Sequence, residues 1–280
     1  MASEPLYLTP LVPFQAPFNN NDKGNQMKRV LLTLLSGGII VAAGLNTAVA
    51  QDDDSDRAVP VELYICNYND GMGPADLDSV TAKWNAWADG QGLTDYTAWT
   101  LTPFYYGDNQ EFDWIWLGVA PTAQAMGAAQ DDWVTKGGEV AAQFARLSTC
   151  GSHTNMASLQ FKAPGERENP SSTVVSFSDC NIKDGKSFDD VAPAVAAWAE
   201  FRSGQGSKAG HYILFPAYGG GGEEFDFKYV SSHANFEEQG IDYDNYDPEK
   251  DSELFGDLLD CDSSRIYIAQ NRRMAESDDE

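Results

Sequence analysis

The motif Cys-Asn-x-x-Asp-Gly is written twice, as CNYNDG at 66–71 and CNIKDG at 180–185. A thiol, an amide and a carboxylate so close together could serve nucleophilic or acid–base chemistry, or could mark a repeated fold. Each copy is followed by a second polar pair, Glu111 with Asp113 and Glu224 with Asp226. Carboxylates two apart on a strand share a face. Burial can split their proton affinities into an acid and a base, whereas at a hairpin edge the same pair only solvates a turn. Tyr105 and Tyr218 stand just before each hairpin, where they could line a cavity. Asn67 and Asn181 share strand faces with Leu63 and Phe177. A buried amide must find partners, so each either braces its loop or points into the core.

Three histidines, His153, His211 and His233, have no zinc-ligand spacing. His233 faces Ala120 across the two copies, so a duplicated structural role does not account for it. Gly219–Gly222 precedes Glu-Glu-Phe-Asp and a strand, not the Gly-Lys-Ser/Thr and helix of a phosphate loop. DYDNYDPEKD at 242–251 is acidic, but Tyr246 and Asp247 break the alternation of a calcium loop. No catalytic residue, metal or cofactor is assigned from these motifs. The candidate ligand-binding set is Asn67, Asn181, Tyr105, Tyr218, Asp113, Asp226 and His233.

The formal charge of −25 argues against nucleic-acid phosphate and anionic lipid as partners. From Met27 the chain reads as an export signal. Lys28 and Arg29 precede an apolar run over 30–45, and Ala48-Val49-Ala50 supplies the small-x-small cleavage pattern. That run is short of the roughly 20 residues that span a bilayer. The expectation is cleavage between Ala50 and Gln51, a periplasmic or secreted protein, and no membrane contact afterwards. Residues 1–26 read as a miscalled extension, 27–50 as signal peptide, 51–58 as an acidic disordered segment and 271–280 as an acidic tail.

Between these ends the pattern repeats. With Cys66 on Cys180, Asn67, Asp70, Gly71, Asp76 and Trp84 meet Asn181, Asp184, Gly185, Asp190 and Trp198. PFYYGDNQEFDW at 103–114 meets PAYGGGGEEFDF at 216–227, and Phe144, Leu147 and Cys150 meet Phe255, Leu258 and Cys261. The copies span 59–162 and 173–270, with a Pro/Gly/Ser linker over 163–172. Each predicts a Val/Ile/aromatic strand, then a helix with Leu77, Val80, Trp84 and Trp87 (or Val191, Ala194, Trp198 and Phe201) on one face. Two strands around a hairpin, a second helix and a last strand follow. The order β-α-β-β-α-β is that of a ferredoxin-like unit.

Both faces of these strands are apolar. Leu63 and Ile65 alternate with Tyr64 and Cys66, and Ile115 and Leu117 with Phe112, Trp114 and Trp116. Helices cover one face, and the other copy's sheet is the simplest cover for the second. This element order resembles the dimeric α+β barrel superfamily, here in one chain and at the level of fold across residues 59–270. The resemblance implies cofactor-free monooxygenases, haem-handling enzymes and proteins without assigned roles as its company. The aromatic stripes Phe112, Trp114, Trp116 and Phe225, Phe227, Tyr229 read as core that could floor an apolar pocket.

In a ferredoxin-like sheet the first and last strands are antiparallel neighbours, which pairs Cys66 with Cys150 and Cys180 with Cys261. Each bridge closes a loop of roughly 80 residues, worth about 4 kcal/mol in the chain-entropy model. Three classes of function remain. One is a monomeric exported protein holding a small apolar or aromatic ligand between the repeats. The others are a cofactor-free or haem-dependent oxidoreductase, and a structural or interaction protein with a filled barrel.

Overall fold

The computed structural model describes residues 57–108, 110–166 and 171–275. The extension, the signal segment and the acidic run through residue 56 lie outside the described residues. So do residues 276–280 of the tail.

Fifteen elements are present among the described residues. The N-terminal half carries β1 (Val59–Tyr68), α1 (Pro74–Gln91), β2 (Thr97–Tyr105), β3 (Trp114–Val119), α2 (Ala123–Lys136), α3 (Gly138–Leu147) and β4 (Ser148–Lys162). The C-terminal half carries β5 (Ser172–Ile182), α4 (Phe188–Gly204), β6 (Gly210–Tyr218), β7 (Phe227–His233), α5 (Phe236–Asp244), α6 (Pro248–Phe255), β8 (Leu259–Cys261) and β9 (Arg265–Arg273). Strand order is β4-β1-β3-β2 in the first half and β9-β5-β7-β6 in the second. The pairings β2–β9 and β4–β6 join the halves into a closed, antiparallel eight-stranded barrel, with β8 continuing alongside β5.

Alternation along the strands sorts the side chains. Val61 and Leu63 of β1 and Ile115 of β3 point into the barrel, where they meet Leu101, Met156, Phe177, Leu214, Val230 and Tyr267. This interior, where the sequence places a ligand, is packed with side chains. The opposite faces of the same strands, Tyr64, Cys66, Trp114 and Trp116, lie under the helices. Helix α1 starts with Pro74 at its first turn, and Asp76 accepts from the Gly73 N–H at 3.0 Å. It ends at Gly92 in the left-handed region (φ 69°), the conformation a glycine tolerates. Of its expected apolar stripe Leu77, Val80 and Trp84 are buried and Trp87 is partly buried, with Ala88 buried beside them.

Disulfides join Cys66 to Cys150 and Cys180 to Cys261, each between cross-strand partners. One expectation needs correction. Glu111 and Asp113 precede β3, and Glu224 and Asp226 precede β7, so neither pair shares a strand face. Both pairs lie in the hairpin approach instead, where backbone N–H groups of the neighbouring strand claim the aspartates.

Candidate functional site

A cavity of about 260 Å³ lies in the N-terminal half, between the outer face of the sheet and the helices α1, α2 and α3. Its walls are aromatic. Trp84 and Trp87 come from α1, Trp114 and Trp116 from β3, Trp133 from α2 and Phe144 from α3. The rings pack edge to face, Trp84 on Trp116 at 4.7 Å and Trp87 on Trp133 at 5.3 Å. That geometry suits aromatic quadrupoles and leaves ring edges and faces lining the space. Cys66 and Cys150 of the first disulfide also reach the wall.

One end of the cavity is polar. Glu62 interrupts the apolar run of β1 on the same face as Tyr64 and is 6% exposed. Its carboxyl accepts from the Tyr96 hydroxyl at 2.5 Å and from Gln130 Nε2 at 3.2 Å, and lies 3.0 Å from His153 Nε2. Trp116 Nε1 in turn donates to the Tyr96 oxygen at 3.0 Å. Burial, reinforced by the Glu62 charge, holds the Tyr96 hydroxyl well above the usual tyrosine range. The same causes raise Tyr64. Tyr64 and His153 are cross-strand partners whose rings stack at 3.6 Å. His153 itself is part-exposed, at 45% of its side chain.

Gly118 makes this arrangement fit. A Cβ there would lie 1.7 Å from the Tyr96 hydroxyl oxygen and 3.0 Å from Glu62 Cγ. The Trp114 indole nitrogen is buried without a hydrogen-bond partner, although its residue lines the cavity.

The residues singled out by sequence lie elsewhere. Asn67 and Asn181 are exposed and donate to the carbonyls of Glu111 and Glu224 at 3.0 and 3.1 Å. Asp113 and Asp226 accept from the backbone N–H groups of Tyr68 and Ile182 at 2.8 and 2.7 Å. Tyr105 and Tyr218 are 58% and 73% exposed. His233 is buried in the C-terminal half, 3.0 Å from Asp242. None of these lines the cavity. The residues that do its polar work, Glu62, Tyr96 and Gln130, had a faint signal only in Glu62. It is the one charge in VPVELYIC.

No group of three or more potential metal ligands occurs among the described residues. No described helix is long and apolar enough to cross a membrane. No protein-family model and no curated protein matches the sequence. Among solved structures, the chain is similar to a candidate monooxygenase from Lactobacillus acidophilus NCFM. That match has a TM-score of 0.50 at 9% identity, over 79% of this chain and 96% of the other. An anthrone oxidase-like protein matches at TM-score 0.48 and 10% identity, covering 80% of this chain and 97% of its own. A candidate chlorite dismutase, TA0507, matches at TM-score 0.48 and 11% identity, covering 76% and 94%. The barrel closure and the first of these likenesses agree: the chain has the dimeric α+β barrel fold.

Proposed function

We propose that this is an exported, monomeric protein of two tandem ferredoxin-like units. It binds a small planar aromatic molecule in the cavity of its N-terminal half. The observation that carries this reading is the cavity itself, walled by tryptophans and closed at one end by a buried carboxyl. Ligand sites are mostly apolar with a few placed polar groups, and about 300 Å³ is the small end of their range. A ligand of one or two fused rings suits that size. Two disulfides support an oxidising compartment.

A second reading, a cofactor-free oxidoreductase, is favoured by the Tyr96–Glu62 hydrogen bond. A buried carboxyl at hydrogen-bond reach of a ligand hydroxyl is placed to take its proton, the first step toward an oxidisable anion. No histidine lines this cavity, so it offers no imidazole ligand to a haem iron.

The test is saturable quenching of tryptophan fluorescence by 7-hydroxycoumarin, a planar bicycle with a hydroxyl and a carbonyl. Gly118→Ala forces Tyr96 off Glu62 and should weaken binding about tenfold or more, since overpacking of this kind displaces its neighbours. Absence of saturable quenching in the parent protein would overturn the reading.

A further inference from the structure

The polar end of the cavity does not stop at Glu62. The two carboxylate oxygens face different ways. Oε1 takes the Tyr96 hydroxyl, and Oε2 lies 3.0 Å from His153 Nε2. Glu62 is buried, whereas His153 is 45% exposed at its side chain. Tyr64 holds the imidazole flat by stacking on it at 3.6 Å, so the ring presents Nε2 to the carboxyl while part of it meets water. The groups facing Glu62 from the elements around it are Tyr64 of its own strand, Tyr96 before β2, Gln130 of α2 and His153 of β4. Of these, His153 is the nitrogen base that also meets water.

We infer that Tyr96, Glu62 and His153 form a proton path from the cavity to solvent, and that His153 is its outer gate. This rests on the binding reading above and adds to it the kind of ligand favoured, a weakly acidic hydroxyaromatic. The ligand O–H breaks and its proton passes to the Glu62 carboxylate, directly or by exchange through the Tyr96 hydroxyl. The carboxyl hands a proton to His153 Nε2, and the ring releases one to water. The ligand is left as the anion, and the Tyr96 O–H, which donates to Glu62 in the free protein, is the donor that can turn toward it. One proton enters solvent for each ligand bound. His153 acts through Glu62 and is a positioning and relay residue, not a group that touches the ligand.

The experiment uses the protein as its host produces it, with 7-hydroxycoumarin in weakly buffered solution. Stopped-flow mixing follows tryptophan quenching for binding and an indicator dye for proton release. His153→Phe keeps the ring stacked on Tyr64 and removes the nitrogens. It should leave quenching within about twofold and slow proton release about tenfold or more, with added imidazole restoring the rate. Glu62→Gln should abolish the release. Unchanged release in His153→Phe overturns the path while leaving the binding reading intact. Absence of quenching defeats the binding reading, and the path is then decided without ligand. Proton NMR follows the His153 ring against pH in parent and Glu62→Gln proteins. Curves that differ support the coupling, and superimposable curves overturn it.

Discussion

The two halves of the barrel share a strand order and a disulfide position but differ in what lies under their helices. Register makes the comparison residue by residue. Glu62 pairs with Gly118 across β1 and β3, and Ser176 pairs with Ser231 at the matching place across β5 and β7. The serine hydroxyls simply bond to each other at 2.6 Å. Tyr64 and Trp116 become Ser178 and Tyr229. Ala98 beside Gly118 becomes His211 beside Ser231, so Ala209 stands where Tyr96 does. His153, stacked on Tyr64, gives way to Ser264, bonded to Ser178 at 2.7 Å. One half leaves a cavity with a carboxyl at its end. The other fills the matching positions with short hydroxyl pairs and a Tyr229–His211 bond of 2.8 Å, and its own cavity, about 690 Å³, lies instead beside α5 at Val174, Ser207 and Asp242. The lesson is a division of labour: repeated positions hold the fold, and the positions where the copies diverge make the site.

The helices are also held differently. Helices α2 and α3 bury Met126, Ala129, Val140 and Leu147. Helices α5 and α6 bury no residue. Instead Arg202 of α4, 4% exposed, donates to the carbonyls of Asp242 and Asn245 and pairs with the Asp242 carboxylate at 3.4 Å. Asp242 also meets His233 and Ser207. Burial opposes its charge, but the His233 and Ser207 hydrogen bonds and the Arg202 charge hold its carboxyl below the usual range. Helix α5 is held by this polar anchor, while α6 packs Phe255 against Trp198. The largest expected effect follows from breaking the anchor. Arg202→Met removes one partner of a buried pair and should cost about 3–5 kcal/mol in urea unfolding. Amide exchange should show α5 losing protection first, while 7-hydroxycoumarin binding in the other half stays unchanged. Loss confined to neither half, or a loss under 1 kcal/mol, would mean that α5 is not held this way.

The next effect is in pH. Burial, with the Lys162 charge second, pushes His211 down to about 4 from the ordinary 6.5. The folded state therefore binds this proton less well than the unfolded chain. Its stabilising contribution is complete above pH 6.5, declines as pH falls through that value and is lost by about pH 4. The full change is about 3 kcal/mol, at about 1.4 kcal/mol for each tenfold in proton affinity. His211→Gln should flatten that part of the stability profile. A profile with the same slope in parent and variant would place the acid sensitivity elsewhere.

How far sequence carries can be judged from these same residues. The duplicated Cys, Asn, Asp-Gly and helix-face positions repeat with nearly fixed spacing, so strand order and disulfide pairing were legible. Alternation told which strand faces were apolar but not which of two apolar faces would leave space. The barrel interior is filled because Met156, Phe177 and Tyr267 from several strands interdigitate there, and such volume matching is invisible in one dimension. The cavity residues were overlooked for the opposite reason. Attention to repeated motifs selects what both copies need, whereas Glu62 and Tyr96 have Ser176 and Ala209 as counterparts. The contrast between copies, not their agreement, was the signal.

The smallest effect tests the shared positions. Asn67 and Asn181 each spend a side-chain amide on the carbonyl of the hairpin approach, Glu111 or Glu224, and each is exposed. An exposed side-chain hydrogen bond of this kind contributes about 0.5–1.5 kcal/mol. Asn67→Ala and Asn181→Ala should therefore cost nearly the same in urea unfolding, within about 0.5 kcal/mol of each other if the sites are independent. Neither should alter 7-hydroxycoumarin binding, because neither side chain lines the cavity. A large gap between the two would break the equivalence of the halves at its most repeated motif. A drop in binding for Asn67→Ala alone would show that the first hairpin shapes the cavity and that the repeated motif serves the site in one copy only.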